Sequence, residues 1–482
     1  MLSKKKEYWT ILPALMSFVI VSLLLSKQTE FDVISFNNYK NFYYSLFLYA
    51  IVALPLLLLS FFGYWRKQSF QKKVLLSGLV LYLAAINFRT LLSFQFTIVF
   101  VIAVLVYFLY EKKIYRPQIF QVFLLLYFGI TTLSLLWTNN LKDGIMLWRN
   151  EISPIAFIPI LFCFFKLNKQ DFDTVALVYF RFSILFATIS ICSWVLESRF
   201  LNFPLCQSFL MDKYDVKTFE SYQVVYAWSP ATHPTYNGLN LLISLAFGWY
   251  YISKKNVENN IRYVEFGFLL VVSLILTIIT ASRYMAVMWM VVNVLGVIYS
   301  LRKNKNTLIA SSIVFFTSGV FAICFFFDKV VGFISDPVRN CHYKAAAQSI
   351  KENTWFGTGL GGMTKYINID NPIYNSLNIG KNSDFRSIHP HNQIIGDWMQ
   401  SGVIGLAIVL FIIGLLLYYG IKHQNWLIFV NTIIFLFLMS IEMPLIFISG
   451  TFGFVLIFNF LFSTDPNRKI VFNFDNRVKS EK

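Results

Sequence analysis

Apolar stretches of about 20 residues recur along almost the whole chain, and most are closed off by a short cluster of lysine and arginine. A helix needs roughly 20 apolar residues to cross the hydrocarbon of a bilayer. About fourteen candidate spans can be read, at 10–26, 42–65, 73–87, 91–110, 118–137, 152–166, 174–196, 235–252, 264–281, 284–301, 308–327, 402–421, 425–441 and 444–463. The third and sixth are short enough to be re-entrant. Charged residues make up 13% of the chain, about half the share usual in a soluble domain. The expectation is an all-α, polytopic integral membrane bundle of about 12–14 transmembrane helices, with a large periplasmic loop containing short helices.

The formal net charge is +17, but it does not imply a nucleic-acid partner. The basic residues sit between apolar runs, as in "KKK" (4–6), "RKQSFQKK" (66–73), "EKKIYR" (111–116) and "RKNK" (302–305). Loops of this kind stay on the cytoplasmic side and meet anionic lipid headgroups. With the N-terminus inside, the alternation holds along the chain. Residues 1–197 then carry the N-terminal transmembrane helices, 198–234 an outer loop, and 235–327 the central helices. Residues 328–401 form a large periplasmic loop holding the catalytic groups, 402–463 the C-terminal helices and 464–482 a cytoplasmic basic tail. Lys4, Lys5 and Lys6 precede an apolar run without a small-residue cleavage site, so the first segment reads as a retained anchor. The five cysteines show no CxxC and no metal spacing. Cys206 and Cys341 both fall in outer loops, where an oxidising compartment would allow them to pair.

The chemistry concentrates in 328–401. "DPVRNCHYKAAAQSIKENTWFGTGLGG" (336–362) predicts a helix of about 16 residues, started by Pro337 and stopped by the glycine run. Arg339, His342, Tyr343, Ala346 and Ile350 share one stripe of it, which suits an amphipathic helix lying on the outer surface. The glycines have the look of a phosphate cradle, but without a strand-then-helix context they read as a flexible turn. Arg283, in "TASRYMAVMW" (280–289), sits at a tight outer hairpin between two spans. Arg149 is a further outer-side arginine. Arginine's planar fork suits phosphate oxygens, and a snorkelling residue that sets helix depth is the plainer alternative. Arg181 lies inside a span, where a partner is needed; Glu442 is one distant choice.

"HPHNQIIGDWMQSGVIGL" (389–406) closes this loop. A histidine there is suited to taking a proton near neutral pH. His389 and His391 are both candidates for the base, with the other as its hydrogen-bond partner. Asn392 can orient the base or bind a sugar hydroxyl, and Gly402 and Gly405 allow close helix packing. As a metal site the pair is thin: two histidines two apart have no obvious third ligand, with His342 and Asp397 the only recruits. No metal and no cofactor are expected.

These residues resemble the O-antigen ligase and polymerase superfamily of bacterial membrane proteins. His391-Asn392, nine residues, then "GVIG" (402–405) is similar to its HN-x9-GxxG signature. Arg283 looks like the arginine of its R-x3-L element, with Val287 in the leucine position, and Arg339 looks like its second arginine. The resemblance covers about 235–463. It implies metal-independent, inverting glycosyl transfer on the periplasmic face of the bacterial inner membrane. The donor would be a glycan on undecaprenyl diphosphate and the acceptor a hydroxyl of lipid A–core, in lipopolysaccharide synthesis, or of another lipid-linked glycan in a polymerase. His391, Arg283 and Arg339 would be catalytic, with Asn392, His389, Arg149 and Tyr343 binding substrate. Tyr222, Tyr226 and Trp228 could stack on sugars. A lipid-linked glycan transporter is the reading from another class. It is disfavoured because the polar groups gather on one face rather than at a midplane site between repeats.

Overall fold

The computed structural model describes residues 62–84, 90–200, 234–253, 261–280, 283–301, 337–368, 370–377, 389–445, 448–465 and 468–473. They are mostly helical with few strands, as the apolar periodicity requires. In chain order the elements are α1 (Phe70–Ala84), α2 (Thr90–Glu111), strand β1 (Lys113–Tyr115), α3 (Ile119–Leu133), α4 (Leu141–Leu147), α5 (Ser153–Leu161), α6 (Lys169–Phe200), α7 (Pro234–Ile252), α8 (Ile261–Thr280), α9 (Arg283–Leu301), α10 (Pro337–Glu352), α11 (Gln393–Lys422), α12 (Trp426–Ile441), α13 (Ile448–Phe462) and strand β2 (Ile470–Asn473). A helix stands at each expected span from 73–87 to 284–301 and from 402–421 to 444–463. The spans at 10–26 and 308–327, and nearly all of 42–65, lie outside the described residues. So do Cys206, Tyr222, Tyr226 and Trp228.

Four of the described helical stretches are long and apolar enough to cross a membrane: Ile119–Leu136, Leu141–Phe164, Tyr284–Leu301 and Gln393–Lys422. Their outward sides, and that of α2, stay apolar. Ile102, Leu105 and Leu109 on α2, and Leu410, Phe411 and Ile421 on α11, are all exposed. A surface of that kind is suited to contact with apolar matter rather than water.

The chain divides into two compact units, Met1–Glu111 with Leu167–Ser300, and Lys112–Lys166 with Leu301–Lys482. In the first, α6 packs against α1, α7 and α8. Its start is a reciprocal cap. Asn168 Oδ1 accepts the Asp171 amide at 2.7 Å, and Asp171 Oδ2 accepts the Asn168 amide at 3.2 Å. Tyr64 and Lys72 also reach Asp171, at 2.7 and 2.9 Å. Farther along α6, Arg181 pairs with Glu265 of α8 at 3.1 Å. The partner expected at a distance, Glu442, is therefore replaced by one from the neighbouring helix.

In the second unit, α11 packs against α3, α10 and α12, and α13 against α5 and α12. Residues 468–473 do not behave as a plain basic tail. β2 pairs antiparallel with β1, Ile114 opposite Phe472. Arg468 is buried, and its guanidinium donates to the carbonyls of Arg116, Phe162 and Phe165. Arg468→Ala strands these acceptors, each costing on the order of 1 kcal/mol or more when left unmet. The expected result is a loss of about 3 kcal/mol, read as a lower unfolding midpoint in detergent.

The break in α11 organises this unit. Gly402 has φ +64° and ψ −164°, so the helix is two helices joined at a kink. The carbonyls of Met399 and Gln400 accept the amides of Thr358 and Gly359 at 2.7 and 3.0 Å, and the Val403 amide donates to Thr354 at 3.0 Å. The "FGTGLGG" run is thus a docked loop, not a flexible turn. Its amides at 358 and 359 are already committed to the broken helix, so they cannot cradle a phosphate. A Cβ on Gly402 would lie 2.0 Å from the Trp355 carbonyl oxygen, in a backbone conformation that L side chains avoid. Gly402→Ala is expected to destabilise by at least about 2 kcal/mol, again read from the unfolding midpoint. Gly405 contacts only Ser401 of its own helix at short range, so the close approach belongs to Gly402.

Candidate functional site

The site is built where α10, the start of α11 and the end of α12 meet. The "HPHN" stretch enters α11 through His391, which takes the left-handed conformation at φ +53°. Histidine tolerates this better than most residues, at a cost of about 1 kcal/mol. The turn places Asn392 as the N-cap of α11, its Oδ1 accepting the Ile395 amide at 3.0 Å. Asn392 Nδ2 donates to the Ser440 carbonyl at 3.0 Å, and Gln393 Oε1 accepts the Leu445 amide at 2.8 Å. Two adjacent side chains therefore grip the backbone on either side of Glu442. Met443 is buried against Gly396, where a Cβ would meet its methyl carbon at 1.9 Å.

That stitching brings Glu442 Oε2 to 3.1 Å from His391 Nδ1. A carboxylate only accepts, so Nδ1 carries the proton and Nε2 holds the lone pair. This is the tautomer a base needs, fixed by an orienting acid. His389 is buried, and its Nδ1 accepts the His391 amide at 3.3 Å. Its ring lies edge-on to that of His391, with centroids 4.3 Å apart. Between the two expected candidates, His391 is the more open, with 31% of its side chain exposed, whereas His389 is buried.

The third histidine of the cluster comes from α10. This helix runs from Pro337 to Glu352, the length its flanking residues predict, and it is amphipathic, with Asn340, Lys344, Gln348 and Lys351 exposed. Cys341, His342, Ala345 and Ala346 are buried in a core with Met363, Tyr366, Tyr374, Met399 and Met443. The packed face is rotated from the expected stripe, leaving Arg339 and Tyr343 half-buried at its edge. His342 stacks on His391 with centroids 5.7 Å apart. Its Nδ1 is hydrogen-bonded to Tyr374 at 2.7 Å. Burial pushes the Tyr374 phenol up from its ordinary range, and Cys341 beside it adds to the shift. Tyr374 therefore keeps its proton in this bond. The Cys341 thiol donates to the Ile373 carbonyl.

The other expected residues are spread more widely. Arg339 lies one helical turn before His342 on α10. Arg149 is exposed in the π-helical turn Trp148–Ile152, where its Nε donates to Asn150 at 3.1 Å. Arg283 begins α9 in the other compact unit, and its side chain is outside the description. Asp397 does not join the histidines. Tyr127 and Gln393 both donate to its Oδ1, at 2.6 and 2.9 Å.

The group that sequence reasoning missed at this site is Glu442. Its signal was present: it is the one acidic residue between Trp426 and Thr464. His389, His391 and Glu442 each offer a metal-ligating atom, and these atoms lie within 4.8 Å of one another. The third ligand that spacing alone did not supply is thus a carboxylate from the end of α12. No protein-family model matches the chain, and no curated protein matches it.

Proposed function

We propose that the chain is a polytopic membrane glycosyltransferase of the bacterial inner membrane, moving a glycan from undecaprenyl diphosphate to an acceptor hydroxyl on the periplasmic face. The acceptor we favour is lipid A–core. The observation that carries this reading is the His391–Glu442 pair, held at 3.1 Å at the head of a helix long and apolar enough to cross a membrane. His391 Nε2 takes the proton of the acceptor hydroxyl as its oxygen bonds to C1 of the donor sugar. The C1–O bond breaks, and undecaprenyl diphosphate leaves with the electron pair. Glu442 stabilises the imidazolium that forms. Arg339, one helical turn before His342, is assigned to the diphosphate, where a fixed cation offsets the developing charge.

The test uses purified protein in lipid with an undecaprenyl-diphosphate glycan and lipid A–core, with a chelator present. Glycosylated lipid A–core is expected from the wild type, with a loss of about 10²–10⁴-fold in His391→Ala. Longer lipid-linked chains with lipid A–core untouched would instead identify a polymerase using the same base. Equal product from His391→Ala would overturn the assignment of the base.

A further inference from the structure

We propose that His389, His391 and Glu442 form a binding site for a divalent transition-metal ion, zinc above all. Two imidazoles and one carboxylate are a donor set suited to zinc, and three protein ligands leave a fourth position open. The geometry is close to what the ion requires. Ligands about 2.0–2.1 Å from a tetrahedral zinc stand roughly 3.4 Å apart. His391 Nδ1 and Glu442 Oε2 are already 3.1 Å apart. The widest separation in the group is within 4.8 Å, so closure asks for side-chain rotation of about 1.4 Å at most.

The backbone around the three ligands is fixed from outside the site. Asn392 and Gln393 hold Ser440 and Leu445, the flanks of Glu442. The His391 amide holds the His389 ring through Nδ1. Outer contacts that orient ligands in this way strengthen metal binding. The acid in the group is Glu442: the ligating atoms that lie together are those of His389, His391 and Glu442.

An ion here bonds to the ring of His391 and to the carboxylate that orients it. Metal loading and proton abstraction by His391 therefore exclude each other, so zinc acts as an inhibitor. This second consequence rests on the transfer reaction proposed above; the binding does not.

The experiment titrates chelator-stripped, full-length protein in detergent with cobalt(II) and follows its visible absorption, then displaces the cobalt with zinc. One saturable equivalent is expected. His389→Ala and Glu442→Gln should each weaken binding at least 10-fold, whereas His423→Ala, at the far end of α11, should leave it unchanged. His389→Gln and Glu442→Asp repeat the comparison with gentler changes, and matched unfolding midpoints exclude misfolding. No cobalt spectrum, or one indifferent to the His389 and Glu442 variants, overturns the site. Cobalt binding together with undiminished transfer in His391→Ala would leave the metal site standing and remove the inhibition.

Discussion

Glu442→Gln should lower the turnover of glycan transfer about 10²-fold while leaving the KM for the donor within a few-fold of its native value. Glutamine keeps an oxygen that can accept from His391 Nδ1, so the ring stays oriented and the fold is little disturbed. What it removes is the negative charge facing the imidazolium as the acceptor proton moves to Nε2. In the native protein that charge lies 3.1 Å from Nδ1 and only 15% of the glutamate side chain is exposed. At such a site it is screened far less than in water. Glu442→Asp keeps the charge but shortens the reach, and should fall between the two. Native turnover in Glu442→Gln would mean that the acid serves only to brace the turn after α12.

Arg181→Ala is expected to unfold the protein more readily by about 3–5 kcal/mol. The guanidinium and Glu265 are 16% and 3% exposed and meet at 3.1 Å. Losing the arginine leaves a carboxylate shut inside a helical packing, which is the costly half of breaking a buried pair. The double variant Arg181→Met, Glu265→Leu removes both charges at once and should recover most of the loss. Thermal unfolding in detergent reads both. If the single variant were neutral, the pair would be no more than a surface contact.

The helices were legible because a long apolar run between basic clusters has few other ways to fold. The same holds for α10, whose limits follow from Pro337 and the glycines after Asn353. What the chain did not disclose is how those pieces meet. A glycine inside an apolar run reads as a small packing contact, so the break at Gly402 is invisible until residues 354–359 are seen bonding to it. A turn rich in glycine reads as loose for the same reason. Glu442 was noticed, but assigned to Arg181. The residue Arg181 meets is Glu265, on a helix beside its own, while Glu442 is drawn to His391 by bonds to the backbone at 440 and 445. Partners 51 residues apart are chosen by the contacts of the backbone beside them, and side-chain spacing carries no trace of that. Spacing puts His342 on one stripe with Arg339 and Tyr343, and says nothing of the stacking on His391.

The strand pairing of 113–115 with 470–473 sets an order of events during synthesis. Residues 112–166 leave the ribosome early, yet the groups they bond are made last. Gln118 meets Asp465, Gln121 meets Asn459 and Tyr127 meets Asp397. The first unit can assemble once residue 300 has emerged, but α3 to α5 must wait through a further stretch of translation with polar side chains unmatched. Contacts so distant in the chain form slowly and leave the waiting segment open to wrong pairings. Nascent chains stalled before Arg468 should therefore expose 112–166 to degradation, while α6, α7, α8 and α9 are already resistant.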